Sequence, residues 1–197
     1  MKKLTVSMAL SLIICLVFSV FSNACEVSRM TDKLIRLHVV ANSDSDADQA
    51  LKLAVRDEVA FLCANITSAC QDKASAYSAL TDNLTLIKSA AESVITREGY
   101  SYPVSCSLSP TTFDRRIYND FTLPAGEYDA LCVTIGEGEG KNFWCVCYPS
   151  LCLGSVMKID DCEQFSEDEL TIVKHPEKVR YKLFCYEIIE WFRSLLK

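Results

Sequence analysis

Two hydrophobic periods alternate along this chain, and they lay out most of its elements. Leu34 to Ala41 is a short apolar run holding His38, and it reads as a strand. A polar turn follows, Asn42-Ser43-Asp44-Ser45-Asp46-Ala47-Asp48. Beyond it, Leu51, Val55, Val59, Leu62 and Ile66 recur at spacings of three and four, which predicts a helix over about 46–66 with Lys52 and Arg56 on its solvated side. Tyr77, Leu80, Leu84, Ile87, Ala91 and Val94 repeat the alternation, so a second helix is expected over about 73–98, ended by Gly99. The period then drops to two. Tyr100, Tyr102, Val104, Cys106 and Leu108 share one face of a half-buried strand, and Pro103 on the other face points to a sheet edge. Phe113 to Phe121 is expected to add a strand, with Arg115 and Arg116 as a solvated patch.

The next stretch, Phe121 to Leu153, is the densest in turn and strand signals. Ala130 to Ile135 and Asn142 to Tyr148 are β-branched, aromatic and cysteine-rich runs around the glycine-rich connection Gly136 to Lys141, and Pro149 stops the second. They read as a long β-hairpin. Both runs are apolar on both faces, which suggests strands covered from two sides. If Ile135 pairs with Asn142, Cys132 falls opposite Cys145, about 4.5–5.5 Å away and within disulfide reach. Cys145 and Cys147 point the same way along one strand and are poorly placed to bridge each other.

Met157 to Pro176 is acidic and irregular, a linker candidate. A last helix over about 177–196 carries Leu183, Phe184, Ile188, Trp191, Phe192 and Leu195. Glu187 and Glu190 on its polar face suit core packing better than an anionic bilayer. The predicted architecture is α+β, a single domain: three main helices and a mostly antiparallel or mixed sheet of about five strands, behind an N-terminal signal segment.

That segment shows in the first residues. Lys2 and Lys3 precede the uncharged run Leu4 to Phe21, then Ser22-Asn23-Ala24, which reads as a secretory signal over 1–24 cleaved after Ala24. As a retained anchor the run would reach roughly 27 Å, barely a bilayer core. Cys25 invites a lipid anchor, but Ser22 stands where that motif favours a leucine-like residue. Residues 25–197 then form one domain outside the cytoplasmic membrane. The net charge is −6 with no basic stripe, which removes nucleic acid as a partner. Eleven cysteines are too few for a disulfide scaffold of this length, and Cys63, Cys106 and Cys132 fit buried positions, where cysteine acts as a small hydrophobe.

Candidate chemistry is sparse. Asp44, Asp46 and Asp48 have calcium-loop spacing, but Gln49 and Val55 stand where such a loop needs Gly and Glu. Helix capping by Ser45 and Asp48 explains the run better. The glycines before Lys141 lack the phosphate-loop pattern, because Lys141 opens a strand and not a helix. Cys145, Cys147 and Cys152 have unusual spacing for zinc. There is no G-x-S-x-G, H-E-x-x-H or C-x-x-C motif. No metal, cofactor or small-molecule substrate is expected, and the reading is of a protein that is not an enzyme. A Cys–His pair brought together by folding would be invisible here, so an exported thiol-dependent enzyme is the alternative.

Two blocks carry a family resemblance. Ile35-Arg36-Leu37-His38-Val39-Val40-Ala41-Asn42-Ser43-Asp44, with Asp48-Gln49 and Val55-Arg56-Asp57, is the first. Pro124-Ala125-Gly126-Glu127-Tyr128, Gly136-Glu137-Gly138, Asn142-Phe143-Trp144-Cys145 and Pro149-Ser150-Leu151-Cys152 form the second. Together they resemble stage II sporulation protein R. Phe143 stands where that family usually has Trp, and Ser150 where it usually has Pro. The resemblance implies an exported messenger of endospore-forming bacteria, sent across the forespore membrane into the intermembrane space, in transient proximity to a membrane. There it would activate a membrane-embedded aspartic-type sporulation protease, so that the mother cell processes the sigma-E precursor. Glu127, Tyr128, Phe143, Trp144 and Pro149, with Asn42 and Asp44 as a second patch, are the expected contact residues, since aromatic side chains are favoured anchors.

Overall fold

The computed structural model describes residues 28–29, 31–118 and 122–150, with Trp191 and Leu195. The expected signal segment, Cys25, the linker near 157–176 and the rest of the closing helix lie outside the described residues. Residues 33–111 and 127–150 belong to one compact unit, and 112–118 and 122–126 to another.

The elements are β1 (Ile35–Val40), α1 (Asp46–Thr67), α2 (Lys73–Asp82), α3 (Leu84–Arg97), β2 (Val104–Phe113), β3 (Arg116–Ile117), β4 (Thr122–Leu123), β5 (Gly126–Ile135) and β6 (Asn142–Tyr148). Ser45 caps α1, its Oγ accepting from the Asp48 amide at 3.2 Å. Asp46 and Asp48 in the first turn complement the helix dipole. Asp72 and Ser75 form a reciprocal capping box at the start of α2.

The single helix expected over 73–98 is two. Asn83 leaves helical geometry at φ −106°, ψ 11°, and its Nδ2 donates to the Ala79 carbonyl at 2.8 Å. A short amide that bonds the preceding turn competes with the backbone ladder, and the helix restarts at Leu84. Gly99, at φ +83°, closes α3 in the left-handed conformation its lack of a side chain allows. The strand expected over 100–108 begins later, at Val104, because Pro103 has no amide to give the ladder. The strand expected over 113–121 is replaced by β3 and β4, which pair antiparallel with Arg116 opposite Leu123.

The main sheet has the order β2-β5-β1-β6. β1 runs parallel to β5, with His38 opposite Cys132, and antiparallel to β6, with His38 opposite Trp144. The sheet is therefore mixed and the fold α+β, as expected. The hairpin is not formed: β5 and β6 are separated by β1. Placing Ile35–Val40 centrally buries Ile35, Leu37 and Val39 completely on the face that meets the helices. This also overturns the Cys132–Cys145 bridge. Two strand spacings, roughly 9.5 Å, separate their positions, against a usual upper limit of about 6.8 Å between bridged α-carbons. Cys132 sits beside His38 and Cys145 beside Leu37, so they occupy opposite sheet faces. Cys132 is a free thiol, while Cys145 is disulfide-bonded to a different cysteine.

One face of the sheet packs on the helices. Ile35, Leu37, Val39, Leu131, Val133, Ile135 and Cys145 meet Leu51, Val55, Val59, Leu80, Ile87, Ala91 and Val94 in a continuous core.

Candidate functional site

At the end of β1 the polar turn does more than cap a helix. Asp48 is buried, and its Oδ2 accepts from Asn42 Nδ2 at 3.0 Å and from Ser43 Oγ at 2.6 Å. The other end of the Asn42 amide reaches the distant glycine-rich connection, Oδ1 accepting from the Glu137 amide at 3.1 Å. The Asn42 and Ala41 carbonyls accept from the amides of Glu139 and Gly140, at 3.2 and 2.9 Å. Asp44 Oδ1 accepts from the Lys141 amide at 2.7 Å. Beneath them the buried Lys52 ammonium donates to Gln49 Oε1 at 2.6 Å and to the Lys141 carbonyl at 2.9 Å.

The two sequence blocks are thus stitched into one loop cluster across about 95 residues of chain. Its electrostatics follow from these bonds. Hydrogen bonds from Ser43 and Asn42 hold the Asp48 carboxyl below its usual range. Burial pushes the Lys52 ammonium down, with the Asp44 charge working in the opposite sense. Burial and the Asp48 charge push the Tyr102 phenol up.

The second expected patch, Asn42 with Asp44, lies apart from the first, whose five residues are spread along the sheet. Asn42 and Asp44 sit at this loop end, Asp44 with its side chain 58% exposed. Glu127, Tyr128 and Pro149 sit at the opposite end of the sheet, on the order of 20 Å away along the strands. Tyr128 and Pro149 are buried, and only Glu127 is exposed. Phe143 and Trp144 are neighbours in sequence and so face opposite sides. Phe143 lies beneath the Arg56 guanidinium, 4.6 Å from the ring centroid, and Trp144 stacks on His38.

The face away from the helices carries an arrangement that sequence reasoning missed. A row of four side chains crosses the sheet, one from each strand. Thr111 Oγ of β2 is 3.8 Å from Cys132 Sγ of β5, and that sulfur is 3.8 Å from His38 Nδ1 of β1. The His38 ring stacks on Trp144 of β6, centroids 3.8 Å apart and planes 14° from parallel. Burial lowers the His38 pKa, a hydrogen bond with the Asn142 side chain opposes that, and the Arg36 charge adds to it. Arg36 itself is buried, with its guanidinium 4.9 Å from the centroid of the Tyr128 ring. The sequence signal was present only as a histidine inside an apolar strand. Among the described residues no cluster of three metal-ligating side chains occurs, and no helix is long and apolar enough to cross a membrane.

The family described as stage II sporulation protein R matches residues 31–158. The stage II sporulation protein R of Bacillus subtilis (strain 168) is 36% identical over 151 residues, spanning 75% of this chain and 66% of that protein, just under two thirds of its length. No solved structure matches the chain.

Proposed function

Because the chain belongs to the stage II sporulation protein R family, we propose that it is an exported sporulation signal that activates a membrane-embedded aspartic-type protease, leading to processing of the sigma-E precursor in the mother cell. The observation that carries this reading is the extent of the family match, which takes in β1, α1, α2, α3 and the whole four-stranded sheet. The physical requirement is modest. A rigid surface that binds the protease's active state more tightly than its inactive one shifts the equilibrium without making or breaking a bond. The loop cluster supports this, since it joins the two blocks that carry the resemblance and presents Asp44 and the exposed Glu137 and Glu139 on a backbone fixed by hydrogen bonds.

Coexpression of the full chain with the protease and the sigma precursor tests the proposal. Processing is expected with the chain present and not without it. Unchanged precursor in both arms overturns the reading.

A further inference from the structure

Cys132 differs from Cys63, Cys106 and Cys147 among the free thiols of the described residues. Cys63 and Cys147 are buried in the core, and the Cys147 thiol is pushed up by its hydrogen bond with Cys63 and by burial. Burial pushes the Cys106 thiol up to about 11. A thiol attacks as the thiolate, so Cys106 and Cys147 are poorly disposed to react, and Cys63 is enclosed in the core. Cys132 is half-buried and has an imidazole nitrogen and a hydroxyl each 3.8 Å from its sulfur.

We propose that Cys132 is a site of mixed-disulfide modification by low-molecular-weight disulfides, with His38 as the base that takes its proton. His38 Nδ1 removes the thiol proton, and the sulfur attacks one sulfur of the incoming disulfide. The S–S bond breaks as the new one forms. The departing thiolate takes the proton back from His38 and leaves as a thiol. In sum, Cys132 is oxidised to the disulfide level and half of the reagent is reduced to its thiol; no other oxidant is needed.

Three features of the row suit this role. The Trp144 stack holds the plane of the imidazole, and in that plane Nδ1 faces Cys132 of β5. Partial burial and the Arg36 charge favour the neutral ring, which has a lone pair to accept the proton. The Thr111 hydroxyl, which donates to the Ser109 carbonyl at 3.2 Å, lies 3.8 Å from the sulfur and by turning its one proton would donate to it as negative charge develops. The site lies on the sheet face opposite the helices, so an adduct there does not enter the core formed with them.

The test uses the reduced full chain treated with glutathione disulfide, with the adduct located by peptide mass analysis. Cys132 is expected to be modified first, about tenfold or more ahead of Cys70 and Cys106, and His38→Gln should slow it about tenfold. Cys132→Ser should abolish the fast adduct. The wild-type rate should level off above the imidazole titration, whereas in His38→Gln it should keep rising toward the thiol range. This profile also guards against a variant that fails to fold. A wild-type rate climbing through neutral pH with no inflection, or first modification at Cys70 or Cys106, overturns the proposal.

Discussion

The imidazole of His38 lies flat on the indole of Trp144, with ring centroids 3.8 Å apart, across the boundary between β1 and β6. The stack ties the central strand to its neighbour on the face turned away from α1, α2 and α3, and it places a titratable ring where charge is disfavoured.

A stability cost at acid pH follows. The folded-state pKa of His38 lies below its ordinary 6.5, mainly through burial. The unfolded chain therefore takes up the proton first, and stability falls as pH drops through 6.5 toward the folded value. Denaturant midpoints measured from pH 8 down to about pH 5 should fall for the wild type. The same series for His38→Gln should lack that component.

Asn42 is the member of the loop cluster with bonds in both directions. Asn42→Ala removes the donor to Asp48 and the acceptor for the Glu137 amide. A loss of about 1–2 kcal/mol is expected, with faster hydrogen exchange at the Glu137 amide than at amides of the helix core. An unchanged exchange rate there would contradict the stitched-loop description.

Asp48 adds a loss of the same sign further down the pH scale. Hydrogen bonds from Ser43 and Asn42 depress its folded-state pKa. Its contribution is complete above the ordinary carboxyl range and is lost as pH falls through the folded value. Acid-unfolding curves of Asp48→Asn should be flatter than wild type in that region, with lower stability at neutral pH.

Gly140 should not accept a side chain. A Cβ built there meets the Ser43 backbone carbonyl and the Ala41 Cβ, the latter at 2.8 Å. Backbone cannot swing aside as a flexible side chain can, so Gly140→Ala is expected to cost about 1–3 kcal/mol. It should also displace the loop that Gly140 and Lys141 hold against Ala41 and Asp44. Thermal unfolding checks the first outcome. The coexpression assay checks the second, where reduced processing is expected.

The elements themselves were largely written in the sequence. The three-four spacing of Leu51, Val55 and Val59 sets which side of α1 is buried, and Ser45 with Asp48 sets where that helix begins. These are local facts, governed by helical period and by hydrogen bonds a few residues long. The break at Asn83 was local too, but it depended on one side chain choosing the Ala79 carbonyl over solvent, which an apolar stripe running past it does not report.

Which strands touch is a different kind of fact. Runs 130–135 and 142–148, joined by a glycine-rich connection, have the pattern of a hairpin, yet β1 lies between them. Pattern records how apolar a strand is. Pairing depends on which arrangement buries the most surface, and that is settled only when Ile35, Leu37 and Val39 compete for the centre of the sheet. The same competition separates Cys132 from Cys145 and aligns Thr111, Cys132, His38 and Trp144 in one row. The sequence alone determined the family, the helix over 46–67 and the runs that form β1, β5 and β6, because short-range periodicity and local motifs encode them. Tertiary structure alone decided the neighbours across the sheet, because long-range burial chooses among registers that one chain leaves equally open.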